Sequence, residues 1–209
     1  VRIQDVTKEI AEVEKLDKPR GALVASVAEN SPSEKAGIKA GDIILEFNGE
    51  IINQMKELPA IVARTKVGKN VKVKIWRDKK EIIKDVLLGR LETSEDFKVS
   101  EKPESENLND RIENLKITVR PLNKDDIKKR KLPNQTTGLV ITSIENSSPL
   151  KNTTLSIDSI IVEAQKQKLR SANDLREIVT EVINSNQKTI LLAIYNNQNQ
   201  RRYIGIKLD

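Results

Sequence analysis

The chain has 209 residues, 37% of them apolar, enough for one large hydrophobic core or two small ones. Its 37 basic and 31 acidic residues leave a net charge of only +6, far from the charge density of a dedicated nucleic-acid binder. With no His and no Cys it holds no Ser–His or Cys–His nucleophile pair, no thiolate, no disulfide and no His- or Cys-ligated zinc.

The chain opens at Val1 and its one methionine is Met55, so it reads as a processed or excised piece of a longer protein. No stretch approaches the roughly 20 apolar residues of a membrane span, and no basic-then-apolar leader precedes the first charged segment. Val1 to Val6 reads as a short strand and Lys8 to Leu16 as a charged, partly helical stretch. Gly21 opens an apolar strand, and Ser31-Pro32 leads into a brief helix that ends at Gly37, a residue suited to a left-handed cap. After Gly41-Asp42 comes the strand Ile43 to Phe47. Asn48-Gly49 closes it, two residues that accept positive φ and favour a tight hairpin turn. A second helix runs from about Lys56 to Arg64. Proline is tolerated in the first helical turn and disruptive deeper in, so Pro59 sets the start no earlier than Lys56. In the final hairpin Val71, Val73 and Ile75 alternate inward, Arg77 to Lys79 make the turn and Ile82 to Leu88 return.

From Gly89 the apolar periodicity is lost and Glu, Asp, Ser, Lys and Asn dominate. Residues 90–113 read as a charged, flexible linker between a first domain at 1–89 and a second at 114–209. The two are copies. Gly21-Ala22-Leu23-Val24 recurs 117 residues later as Gly138-Leu139-Val140-Ile141. The frame holds without a gap through Ser31-Pro32 and Ser148-Pro149, Ile43-Ile44-Leu45-Glu46 and Ile160-Ile161-Val162-Glu163, and on to Val62 and Val179. In the second copy Ile117 to Leu122 is the opening strand, Lys124 to Lys131 the charged stretch, and Asn173 to Val182 the second helix. Ile190, Leu192 and Ile194, with Tyr203, Ile204 and Ile206, form its last hairpin. Thr154 replaces the helix-ending Gly, Asp158-Ser159 replaces Gly-Asp, and Gln165-Lys166 replaces Asn-Gly.

The string GALVASVAENSPSEKAGIKAGDIILEFNGEII, followed by a helix carrying Leu58, Ile61 and Val62, resembles a PDZ domain of the bacterial, circularly permuted kind. The tandem resembles the C-terminal region of Deg/HtrA-family periplasmic serine proteases, which also serve as quality-control chaperones. The resemblance implies a mainly β fold with short helices (α+β): two PDZ-like, partly open β-barrels or sandwiches. It also implies a binding mode. An extended peptide adds as a strand beside a helix, main-chain hydrogen bonds giving affinity and apolar pockets giving choice. The peptide's C-terminal carboxylate is held by backbone N–H groups in the loop before the receiving strand. In relatives that loop reads roughly aromatic-Leu-Gly-aliphatic, with Val1 as the final aliphatic.

On that resemblance the first groove is the strand Val1-Arg2-Ile3-Gln4 and one stripe of the second helix, Met55, Pro59 and Val62. Leu58, Ile61 and Thr65 form the adjacent stripe, facing the core. The second groove is Leu115-Lys116-Ile117-Thr118 with Ala172, Arg176 and Val179. Lys116 stands where relatives carry Gly, so a loop needing positive φ there fits it poorly. The bland alternatives are that Val1, Ile3 and Val62 are ordinary core and that Arg2 and Arg176 are solvated rather than contacting peptide acids. Lys128-Lys129-Arg130-Lys131 is offset by Asp125-Asp126, and with 2% aromatic residues there are few platforms on which bases could stack. Asp125-Asp126, Glu12 and Glu14 read as solvated faces, and Trp76 and Tyr195 as sheet covers at equivalent places.

The reading is a peptide-binding PDZ pair, without catalytic residues, metal or cofactor of its own, from a Deg/HtrA-like serine endopeptidase in the periplasm of a Gram-negative bacterium. Its expected partners are C-terminal or extended segments of unfolded proteins, its own protease domain, and further copies in a trimer-based oligomer. The second copy would serve assembly. Nucleic acid is not among them, and this chain is expected to hold no membrane span. The alternatives are the PDZ tandem of a site-2 type intramembrane metalloprotease and a purely structural oligomerisation module.

Overall fold

A computed structural model describes residues 1–66, 68–88, 109–151 and 153–208. The chain divides into two compact units, Val1–Glu95 and Asp96–Asp209.

The first unit runs β1 (Arg2–Asp5), α1 (Lys8–Glu14), β2 (Ala22–Ser26), α2 (Pro32–Lys35), β3 (Ile43–Phe47), β4 (Glu50–Ile51), α3 (Glu57–Arg64), β5 (Asn70–Arg77) and β6 (Lys80–Leu87). Its sheet is an open antiparallel path, β1-β2-β3-β5-β6, with β4 on β3. Each expected device appears. Ser31 caps α2 by accepting from the Glu34 N–H at 3.2 Å, and Gly37 beyond its end has φ 75°. Asn48 and Gly49 take φ 51° and 85° in the β3–β4 turn. Pro59 sits in the first turn of α3, where its missing N–H deprives no carbonyl. Val71, Val73 and Ile75 are buried, as the alternation requires, in a core with Val24, Ile44, Leu58 and Ile61.

One buried ion pair locks the corner. Asp42, 1% exposed, receives two hydrogen bonds from Arg77, at 2.6 and 2.7 Å, while the same guanidinium donates to the Gly37 carbonyl at 2.7 Å. The hydrogen bonds that Arg77 donates to the Asp42 carboxylate raise its pKa above the ordinary value. Trp76 donates its ring N–H to the Glu14 carbonyl, tying β5 to the end of α1.

The second unit runs β7 (Asp110–Ile112), a 3-10 turn (Glu113–Leu115), β8 (Ile117–Pro121), α4 (Lys124–Lys129), β9 (Leu139–Ile144), β10 (Ile160–Ala164), β11 (Gln167–Lys168), α5 (Ala172–Asn184), β12 (Thr189–Tyr195) and β13 (Arg201–Lys207). Its order, β13-β12-β10-β9-β8-β7 with β11 on β10, repeats the first sheet and adds one strand beyond β8. The core repeats too, with Ile190, Leu192 and Ile194 buried beside Leu175, Ile178 and Val179. Both units are therefore PDZ-like, mainly β with five short α-helices between them, in two open sheets.

Two sequence expectations change here. Residues 110–113 were expected in the linker, yet 110–112 form a strand paired to β8 and Glu113 begins a turn; residues 90–108 of the expected linker lie outside the described residues. The brief helix after Ser148-Pro149 is absent among the described residues. Ser148 spends its hydroxyl on the Leu115 carbonyl, 2.6 Å, instead of capping, and Thr153 hydrogen-bonds the Leu150 carbonyl, so side chains compete with the helical ladder. The lost glycines of the second copy did not change its backbone at two of three places. Asp158 has φ 69°, and Gln165 and Lys166 have 49° and 64°. The ion pair's place is taken by Ser159, fully buried, which accepts from the Ser156 N–H as Asp42 does from Lys39.

Candidate binding groove

In the first unit β1 is an edge strand: β2 pairs one side, and no strand lies on the other among the described residues. α3 begins beside it, where the Met55 N–H donates to the Asp5 carboxylate at 3.3 Å. The stripe predicted to face the core does so at Leu58 and Ile61, which are buried. The hydroxyl of Thr65, half-buried, donates to the Ile61 carbonyl. The other stripe is left open. Met55 and Val62 are half-exposed and Pro59 exposed, while Ile3 on β1 is half-exposed; Ile3, Met55 and Val62 all touch the core cluster. Val1 and Arg2 are exposed and Gln4 is half-buried. Ile3, Met55 and Val62 make an apolar strip beside a sheet edge, the kind of arrangement to which a strand can be added.

The same positions in the second unit are covered. The register Arg2↔Ser26 and Ile3↔Val24 matches Thr118↔Ser143 and Val119↔Ile141, each with a bulge at that step, which makes Ile3 and Val119 counterparts. Val119 is fully buried, as are Ile117 at 1% and Val179 at 0% exposure, and Ala172 is buried as well. The cover is β7. It pairs antiparallel with β8, Asp110 opposite Val119, Arg111 opposite Thr118 and Ile112 opposite Ile117, and its other side lies against α5. Ile112 is 1% exposed and joins the core. Such full burial of an isoleucine contributes about 2 kcal/mol. Arg176 on α5 donates to the Asp110 carboxylate at 2.7 Å and to the Arg111 carbonyl at 3.1 and 3.3 Å. Both charged groups are more than a third exposed, so the ion pair itself adds well under 1 kcal/mol. The sequence-predicted residues Ile117, Thr118, Arg176 and Val179 are thus brought together, around a segment of the chain itself. Composition and periodicity gave no sign of β7.

The loop before β8 has the left-handed turn that the glycine comparison anticipated. Lys116 adopts φ 51°, ψ 47° and closes the 3-10 turn, its N–H bonded to the Glu113 carbonyl at 3.0 Å. The Ser148 hydroxyl on Leu115 and the Glu145 N–H on the Lys116 carbonyl pin the loop from the other side.

The basic run is partly consumed in structure. Arg130 donates to Asn199 at 2.8 Å, to the Asp158 carbonyl at 2.6 Å and to the Asn196 carbonyl, clipping α4 to the β12–β13 hairpin; burial lowers its pKa. Arg201 sits over the Tyr203 ring, 4.9 Å from its centre, and pairs with Glu163 at 2.8 Å, while burial pushes the Tyr203 phenol up. Among the described residues no helix is long and apolar enough to cross a membrane.

Residues 2–88, which hold the edge strand β1 and the helix α3, match the PDZ domain family. Across its length the chain is similar to proteins named DegP-like periplasmic serine endoproteases. It is 33% identical over 200 residues to the probable periplasmic serine endoprotease DegP-like of Rickettsia conorii, covering 93% of this chain and 39% of that protein. Identity to the protein of the same name from Brucella suis is 28% over 210 residues, covering 100% and 39%. To that from Marinomonas sp. it is 53% over 81 residues, covering 39% and 17%. The chain spans about two fifths of the length of the first two relatives. Among solved structures, an HtrA-type protease, AlgW, with decapeptide is similar at TM-score 0.39 and 26% identity, covering 43% of this chain and 27% of that one. The HtrA3 PDZ domain bound to a phage-derived ligand, FGRWV, is similar at TM-score 0.36 and 26% identity, covering 42% and 79%.

Proposed function

We propose that the first unit captures extended polypeptide, above all chains ending in an aliphatic residue, as an added strand on β1. Ile3, Met55 and Val62 line the apolar strip, Pro59 its rim, and the main chain of Val1 to Gln4 supplies the pairing. Arg2 stands where it would meet peptide acids. The observation that carries the reading is that Ile3, Met55 and Val62 pack against the core yet stay half-exposed beside the edge strand β1. A peptide-binding, regulatory role is what PDZ domains of such proteases supply. In the longer protein this unit would hand unfolded segments to a serine endopeptidase domain in the periplasm of a Gram-negative bacterium, within a trimer-based assembly to which the second unit contributes. The name shared by the relatives supports that parent over an intramembrane metalloprotease. Calorimetric titration with a peptide ending in valine tests the groove. Val62→Glu, which places a charge in the strip, weakens binding at least tenfold, about 1.4 kcal/mol; an unchanged affinity sinks the assignment.

A further inference from the structure

The second sheet continues past β8 into β7. β7 makes every kind of contact that an added peptide strand makes. It pairs through the main chain with β8, it buries an aliphatic side chain, Ile112, among Val119, Val179 and their neighbours, and an acid two residues earlier, Asp110, meets Arg176. Arg176 also grips the Arg111 carbonyl, a contact that any residue at that position would offer.

We infer that Asp110–Ile112 is a built-in ligand of the second unit, occupying a peptide groove between β8 and α5 whose preference is that of its occupant. The groove takes an internal extended segment with an aliphatic residue two positions after an acid. It takes an internal segment rather than a chain end because Ile112 continues directly into the turn Glu113–Leu115, and the Lys116 N–H is already bonded to Glu113. A competing segment enters only when β7 lifts from β8. The remaining strands, β8 to β13, pair with one another independently of β7, which bonds to β8 alone. The inference stands apart from the reading of the first groove, since it rests on contacts within the second unit alone.

The test is a titration of the whole isotope-labelled chain, read at second-unit amides, with the blocked hexapeptide Leu-Asn-Asp-Arg-Ile-Glu, the sequence of residues 108–113. The comparison is between the unaltered chain and the double variant Asp110→Lys, Arg111→Pro. That variant repels Arg176 and removes a β7 N–H while leaving Ile112 in place. In the variant the peptide shifts amides of Ile117–Val119 and Arg176–Val179 with at least tenfold higher affinity than in the unaltered chain. Replacing the peptide's Asp with Lys weakens it at least fivefold. A folded variant that ignores the peptide overturns the inference, as does an unaltered chain that binds it equally well. If the variant does not fold, native-state hydrogen exchange on the unaltered chain decides. Amides of β7 exchanging at least tenfold faster than those of β9 and β10 show a separable occupant; equal rates show an inseparable strand and overturn it.

Discussion

Gly21 stands at the entrance to β2, the strand that holds β1 and hence the groove, and replacing it with alanine separates two costs that usually arrive together. Gly21 has φ +90°, a region in which an L side chain costs about 1–2 kcal/mol. A Cβ there would also stand 2.7 Å from both the Ile44 carbonyl oxygen and Ile43 Cγ2. Ile43 and Ile44 are buried in β3, so neither atom can retreat cheaply, and overpacking of that kind adds about 1–3 kcal/mol. Gly49, at φ +85°, is the control: its Cβ would have nothing within 4 Å. Gly49→Ala therefore costs about 1 kcal/mol, and Gly21→Ala about 3 kcal/mol. Trp76 is the chain's one tryptophan and lies in the first unit, so urea unfolding followed by its fluorescence reports that unit alone. Equal losses in the two variants would refute the close-approach argument; a larger loss at Gly49 would reverse it.

Arg77→Ala strands the buried Asp42 carboxylate, and the first unit loses about 3 kcal/mol in the same assay; a loss below 1 kcal/mol would mean Asp42 is satisfied without its partner. Lys116→Gly relieves a left-handed lysine and stabilises the second unit by about 0.5–1 kcal/mol, read by tyrosine circular dichroism, since both tyrosines lie there. In α4 the hydrogen bonds from Arg120, then that from the Asn123 N–H, hold the Asp126 carboxyl below its ordinary pKa against the opposing effect of burial. A lowered folded-state value contributes stability that is complete above the unfolded value, about 4, and is lost as pH falls through the folded one. The second unit's urea midpoint accordingly drops below about pH 4, and Asp126→Asn flattens that part of the pH profile; an unchanged profile would show that the pair is not linked to folding.

The fold was legible because its signals are local. Apolar alternation at Val71, Val73 and Ile75, the Asn48-Gly49 turn and Pro59 at a helix start each act within a few residues, and the repeat let one copy vouch for the other. Where the second copy lost glycine, at Asp158 and Lys166, tertiary pairing held the backbone left-handed all the same, an outcome that propensity alone would not give. The two stripes of α3 followed from helical spacing, and the resemblance assigned one of them to a groove. β7 was not legible. Three residues with one inward side chain have no periodicity, and the polar run around them has the composition of a linker. Its pairing partner lies across the turn 113–116, and what fixes it is burial of Ile112 against α5, some 65 residues further along. Arg176 was singled out for contact with acids, and the acid it meets is Asp110.

β1 and α3 are proposed to receive peptide and β8 and α5 to be filled by β7, and a single experiment addresses both. The isotope-labelled chain is titrated with a short peptide ending in valine while every backbone amide is followed. Shifts confined to Val1–Gln4 and to the stretch from Met55 to Val62, with Ile117–Val119 and Arg176–Val179 still, are the predicted result. Shifts centred on β8 and α5, or none on β1 and α3, would contradict it.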